Sequence, residues 1–390
     1  MPSAVIVSAA RTAVATARKG ALAHTSAETL ALAVLQAAVA RSGVDPDRVD
    51  DVILAESLYG GGAIARHAAV EAGMVKAGGI AVNRHCAGSL ASVGLAAAQV
   101  LSGMEDIIVA GGVMSVSTGP QMRRRVPGSE DVQDFWMPPT HPDSPEAPNL
   151  DMSITVGWNT ARAAGLTREE QDAWAARSHQ RAIAAIDAGH FAEQIVPVQA
   201  LQADGSVKEF KVDEHPRRDS TIEKLATLKV LHPEIEGFSI TAGNASGVND
   251  GASALMVTSD TMAASEGLGV MARVRGWTAI GVNPAQTGLG AIEAINKLMA
   301  RAGLSPSDVA LWEINEAFAS VPLAASRMLG LEEDAINISG SGCSIGHPVA
   351  ASGGRMLITL IHDLKRRGGG LGVAAMCAGG GQAGAVLIEV

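Results

Sequence analysis

Three cysteines in 390 residues exclude a disulfide scaffold and suit a reducing compartment. Basic residues are in deficit: 30 Lys and Arg against 40 Asp and Glu leave a net charge of −10. That balance argues against a general nucleic-acid or anionic-membrane surface. No uninterrupted apolar run approaches the ~18 residues that span a bilayer. The opening MPSAVIVSAART has no basic segment leading into an apolar one, so neither membrane insertion nor a signal peptide is expected. A cytoplasmic location is the expectation. Aromatics are only 3%, so the core must be built from Ala, Val, Leu and the 44 glycines, which suits closely packed helices and strands. The 47% apolar content excludes a disordered chain, and the length suggests about two to three domain-sized units.

Short apolar runs alternate with helical patterns. Strands are expected at Ala4–Ser8, Val52–Ala55, Ile107–Ala110, Ala252–Thr258, Leu311–Ile314, Val373–Met376 and Ala385–Ile388. Between them Leu90, Val93, Ala97 and Leu101 share one helical face, as do Met356, Leu360 and Leu364. Thr25-x-x-Glu28 and Thr167-x-x-Glu170 read as capping boxes. Strands alternating with helices indicate an α/β fold. GVDPDRVDDVIL (Gly43–Leu54) resembles GLSPSDVALWEI (Gly303–Ile314), which points to two similar halves. Seven of the 16 prolines fall between Pro120 and Pro148, a density that forbids helix or central sheet. The expected division is residues 1–118 with 244–268 as one half, 119–243 as an inserted loop domain over a binding site, and 269–390 as the second half.

Cys86, in NRHCAGSL, sits just ahead of a helix. Unpaired N–H groups and the helix dipole there favour a thiolate, which makes it a candidate nucleophile; a buried inert thiol is the plain alternative. His347, in SIGHPVAASGG, also precedes a helix, which keeps its imidazole neutral and basic; a capping or core histidine is the alternative. Cys377 opens a glycine run in which the N–H groups of Gly379 and Gly380 are free to meet a ligand oxygen; otherwise it is a tight turn. Asn315 follows a strand, where its amide could hold a water or simply make a turn. A metal site among Cys86, Cys343, His347 and Cys377 is disfavoured, because no C-x-x-C or H-x-x-x-H pair is present. Gly379-x-Gly381-x-x-Gly384 matches a dinucleotide fingerprint only formally, since a strand, not a helix, follows it.

Together these segments resemble the thiolase family of acyl-CoA acyltransferases. The resemblance rests on SAART at Arg11, GALA at Gly20, NRHC at Asn83–Cys86, AGGVMS at Ala110–Ser115 and REEQD at Arg168–Asp172. It continues through TAGNASGVNDGA at Thr241–Ala252, NEAFA at Asn315–Ala319, GHP at Gly346–Pro348 and CAGGGQ at Cys377–Gln382. It implies two βαβαβαββ halves in a five-layered α/β/α/β/α arrangement, with the loop domain over a coenzyme A site. It also implies a Claisen exchange, in which a 3-ketoacyl-CoA and CoA give acetyl-CoA or propionyl-CoA and a shortened acyl-CoA. In that scheme Cys86 is the nucleophile, His347 its base and Cys377 the acid/base for the departing enolate. One oxyanion hole uses His347 with a water held by Asn315; the other uses the N–H groups of Cys86 and Gly379. Coenzyme A would lie along Ser246, Ala242 and Gly243, with Arg217 near the adenine and Phe318 by the thiol; Arg123–Arg125 could attract its phosphates or be a solvated loop. No metal or redox cofactor is implied, CoA being a substrate, and a homodimer or homotetramer is expected. Cys86-Ala87-Gly88-Ser89, the stretch Gly340–Gly353 and Trp158 depart from the usual family motifs, which directs attention to the substrate pocket. Degradation of lipid, steroid or related acyl-CoA is the leading expectation, with biosynthetic acetoacetyl-CoA formation and a non-catalytic acyl-CoA-binding role as alternatives.

Overall fold

The computed structural model describes residues 2–57 and 62–390. Alternation along its strands sets the layers. In Ala4–Arg11 (β1) every residue is buried. Val5 and Val7 enter one apolar cluster, Ala4 and Ile6 a second, because successive side chains of a strand point to opposite faces; a bulge between Ile6 and Ser8 then puts Ala9 with the second. Strands β2 (Asp51–Glu56), β3 (Ile80–Val82), β4 (Ile107–Met114) and β5 (Asn249–Ser259) complete the first half. Strands β6 (Ala272–Gly281), β7 (Leu311–Ile314), β8 (Leu371–Ala378) and β9 (Gln382–Glu389) form the second.

Among the described residues these strands run in the order β7-β8-β9-β6-β1-β5-β4-β2-β3. The two halves join where β1 meets β6, through the antiparallel partners Val5 with Arg273 and Ile6 with Ala272. Outward from that junction each half repeats the other. β4 lies parallel to β2 and antiparallel to β5, as β8 lies parallel to β7 and antiparallel to β9. The second half replaces β3 by a lone bridge between Trp312 and Ile336. The repeat read in the sequence sits at equivalent places: a left-handed glycine (Gly43, Gly303), a turn opened by Pro46 or Pro306, then β2 or β7.

Helix α1 (Ala27–Ser42) packs on the outer face of the first half. Helix α2 (Gly88–Ser102), α3 (Arg168–Asp187), α4 (Gly290–Ala302) and α5 (Ser352–Arg366) follow. α4 covers the outer face of the second half, while α2 and α5 touch each other and strands of both halves. The result is the expected five-layered α/β/α/β/α order, with α2 and α5 as the middle layer.

The seven expected strands are all present, each extended or matched at its ends. β3 and β6 were not expected. β3 is three residues at an edge, and β6 breaks its alternation at a bulge between Val274 and Gly276. The capping box at Thr167 and Glu170 forms. The one expected at Thr25 does not: Ser26 is the cap and accepts from Thr29 N–H, while Thr25 accepts from Leu201 N–H. Between Pro120 and Pro148 regular structure is limited to the two-residue pair Arg124–Arg125 and Val132–Gln133. Further on, the buried pair of Arg11 and Asp213, 2.8 Å apart, ties β1 to the chain beyond α3.

Candidate active site

Two close approaches bring the middle helices together. Ser89 Oγ accepts a 2.9 Å bond from Gly354 N–H. A Cβ on Gly353 would come within 2.7 Å of the Leu90 nitrogen, so only glycine fits there. Cys86 sits in the turn His85–Ala87 that runs into α2, and His347 lies five residues ahead of Ser352, where α5 starts. Gly346 turns the chain with φ +108°, and a Cβ there would meet the Asn249 side chain at 2.7 Å. Asn249 Oδ1 then accepts from His347 N–H at 2.9 Å.

The imidazole is held at both nitrogens. Ser352 Oγ lies 2.6 Å from His347 Nδ1 and 3.0 Å from the Pro348 carbonyl oxygen. A serine has one proton to donate, and a carbonyl can only accept, so that proton goes to Pro348 and Oγ accepts from Nδ1–H. The lone pair is therefore on Nε2, which faces Asn315 Nδ2 at 3.4 Å. The Asn315 Oδ1 atom is buried without a hydrogen-bond partner among the described residues, an acceptor suited to a water or a ligand proton. Glu316 beside it takes bonds from Trp174 and Ser178 of α3, from Asn337 and from Cys343 N–H, and so locks α3 to this loop.

Cys377 is near the end of β8, and Gly379 lies in the turn to β9. Cys86, His347, Cys377, Gly379, Ser246 and Phe318 share the wall of one cavity of about 260 Å³. A second cavity of about 690 Å³ lies under the proline-rich excursion and meets the first at Cys86, Met152, Val349 and Gly379.

The comparisons with known proteins agree with this geometry. The family described as "Thiolase, N-terminal domain" matches residues 4–261, and "Thiolase, C-terminal domain" matches 268–390. The chain belongs to the thiolase family. Acetyl-CoA acetyltransferases of Cupriavidus necator and Escherichia coli are each 38% identical, with all of this chain and 99% or more of each relative aligned. Among solved structures, the Bacillus anthracis acetyl-CoA acetyltransferase superposes with a TM-score of 0.92 at 37% identity, covering 100% of this chain and 99% of that one. Human mitochondrial 3-ketoacyl-CoA thiolase gives 0.90 at 32% identity with the same coverage. This thiolase is thus an acyltransferase.

Electrostatics in the thiolase site correct one expectation. Burial pushes the Cys86 thiol up to about 11, although the backbone N–H groups of Gly379 and Cys86 itself pull it down. Burial also raises Cys377, and a charge on Cys86 would raise it further. His347 is pushed down to about 3 by burial and then by Arg355. The resting site is a thiol beside a neutral imidazole, not the thiolate that the helix terminus alone suggests; desolvation outweighs the dipole. Alkylation of Cys86 by iodoacetamide should therefore accelerate about tenfold per pH unit from pH 7 upward, without a plateau before about pH 11. Peptide mass mapping isolates this cysteine, and a rate already level at pH 7 would mean a preformed thiolate.

Other expected contacts fall elsewhere. Ser246 and Phe318 line the smaller cavity, whereas Ala242, Gly243 and Arg217 are not among its walls. Arg217 is exposed and its backbone N–H donates to His179 Nδ1; Gly243 packs under Leu225 and Leu228. Arg123 and Arg125 pair with Asp134 and Glu130, and Arg124 stacks on Trp136, all on the exposed excursion. Cys343 is buried, its sulfur near the Asn244 and Glu316 carbonyl oxygens. Among the described residues no group of three or more His, Cys, Asp or Glu is placed to hold a metal ion, and no helix is long and apolar enough to cross a membrane. Sequence reasoning missed Asn249 and Ser352 as supports of His347. Ser352 at the head of a helix was a usable signal; Asn249, 98 residues away, offered none.

Proposed function

We propose that this thiolase cleaves a 3-ketoacyl-CoA with CoA through an acyl intermediate on Cys86. The observation that carries the reading is the shared cavity wall of Cys86, His347, Cys377 and Gly379, with Asn315 behind His347. His347 Nε2 takes the Cys86 proton as sulfur attacks the 3-keto carbon. The oxygen that becomes negative is met by the N–H groups of Cys86 and Gly379. The C2–C3 bond then breaks, its electron pair leaves as the enolate of acetyl-CoA (or propionyl-CoA), and Cys377 S–H protonates that carbon. His347 and a water on Asn315 stabilise the enolate oxygen. The raised Cys377 thiol stays protonated until needed, and its thiolate is then basic enough to deprotonate incoming CoA, whose sulfur releases the acyl group from Cys86.

Ser246 and Phe318 bound the pantetheine arm in this reading, with Ala242, Gly243 and Arg217 further out. We place the reaction in lipid, steroid or related acyl-CoA degradation in the cytoplasm, in a homodimer or homotetramer. The 690 Å³ chamber supports an acyl group larger than acetyl. A second reading, acetoacetyl-CoA formation from two acetyl-CoA, is favoured by the names of the bacterial relatives; the same residues serve both directions. The deciding assay is CoA-dependent loss of enolate absorbance with acetoacetyl-CoA, a long straight-chain and a branched 3-ketoacyl-CoA. Turnover preferring the larger substrates is expected, a preference for acetoacetyl-CoA transfers the assignment to the second reading, and no turnover on any overturns both.

A further inference from the structure

The larger chamber is built from an apolar loop and one unusual residue. Phe135, Trp136, Met137 and Leu150 supply much of its wall. Its polar side chains Gln133, Thr140, Asp143, Asn149 and Asp151 all hydrogen-bond within the protein already. The His85 ring also lines it, and no side-chain hydrogen bond holds that ring among the described residues. His85 is next to the nucleophile and adopts φ +45°, a left-handed conformation uncommon outside glycine. Asn83 Oδ1 accepts from His85 N–H at 2.9 Å and helps hold that turn. The ring leans over the Gly379 backbone, where an added Cβ would sit 3.6 Å from His85 Cγ. A ring whose nitrogens have no partner among the described residues thus shares the chamber wall with Cys86 and Gly379.

Charge narrows the ligand. Two carboxylates, Asp143 and Asp151, line the chamber, and no Lys or Arg does. An acidic acyl tail would meet these carboxylates there, while the cationic groups behind the wall, His232 on Asp151 and Arg124 on Gln133, are already engaged.

We propose that this chamber takes the acyl part of the substrate, a bulky apolar group bearing a neutral hydroxyl or carbonyl oxygen close to the reacting carbon, and that His85 hydrogen-bonds that oxygen and so sets specificity. The proposal rests on the thiolytic reading above. Burial keeps the His85 imidazole neutral, with one donor for a carbonyl and one acceptor for a hydroxyl. A polar site of this kind discriminates strongly, because a substrate lacking the oxygen leaves a desolvated nitrogen unpaired.

The test compares a 3-ketoacyl-CoA bearing a cyclohexyl ring at C3 with its ring-ketone and ring-hydroxyl counterparts. In the wild type, kcat/KM should favour an oxygenated ring by about tenfold or more. His85→Leu should bring that ratio to about one, and His85→Gln should retain most of it. Both variants meet the same left-handed backbone demand, so comparing them isolates hydrogen bonding from folding. A wild-type ratio near one, or a ratio that survives in folded His85→Leu, overturns the role of His85. Turnover of acetoacetyl-CoA with none of any ring substrate overturns the assignment of the chamber. Failure on acetoacetyl-CoA as well would instead overturn the thiolytic reading, and this proposal with it.

Discussion

Replacing Cys86 by alanine should lower acyl transfer by on the order of 10⁴-fold or more while leaving a folded protein. The sulfur is the atom on which both cavities converge, at the N–H groups of Gly379 and Cys86. Cys377, the other thiol on the wall of the smaller cavity, is held protonated by burial and by a charge on Cys86. Cys343 is buried against the Asn244 and Glu316 carbonyl oxygens, and burial holds its thiol high. Structurally the change is mild, since the residue is small and half-buried beside Ala87. A loss of about 1 kcal/mol is the scale to expect, which a thermal melt resolves from global unfolding. Turnover comparable to wild type in the folded variant would remove Cys86 from the centre of the mechanism.

Cys377→Ala should separate the two halves of the reaction. Steady-state exchange should fall by about 10²–10⁴-fold, the range for losing a positioned acid and base. Acylation of Cys86 by an activated ester should persist, because a leaving group that needs no proton makes no demand on Cys377. Intact-protein mass reads the acyl adduct directly. The division follows from geometry. Cys377 and His347 line the same cavity from different elements, and the Cys377 thiol is raised by burial and by a charge on Cys86. Loss of acylation together with exchange, in a variant that melts like wild type, would show that Cys377 supports the nucleophile instead.

The parts of this fold legible in the sequence were those with local causes. Buried runs such as Leu311–Ile314 and Val373–Met376 announce strands by composition, and Gly43 and Gly303 announce helix ends by the left-handed turn they permit. β6 was not legible, because its stability comes from β9 and β1 on either side and not from its own Arg-rich alternation. The site divides in the same way. Cys86, His347 and Cys377 stand out by residue type and by flanking glycines. Their ionisation does not, because burial is a property of the whole fold and here overrides the helix terminus at Cys86. The Asn249 amide that holds the His347 backbone depends on a contact made only after the halves pack, whereas Ser352, which fixes its tautomer, acts from five residues away.

The pairing of α2 with α5 has one more consequence. Each helix occupies the same place in its own half, and each carries one reactant just ahead of its first turn: Cys86 before α2, His347 before α5. The seam between the halves therefore brings Cys86 and His347 to one cavity wall. One half supplies Cys86 and the other His347 and Cys377, so neither by itself holds the whole site. In the proposed reaction the chemistry lies along the seam, and Ser89 with Gly353, which set how closely the two helices meet, fix the spacing of Cys86 and His347 from outside the cavity.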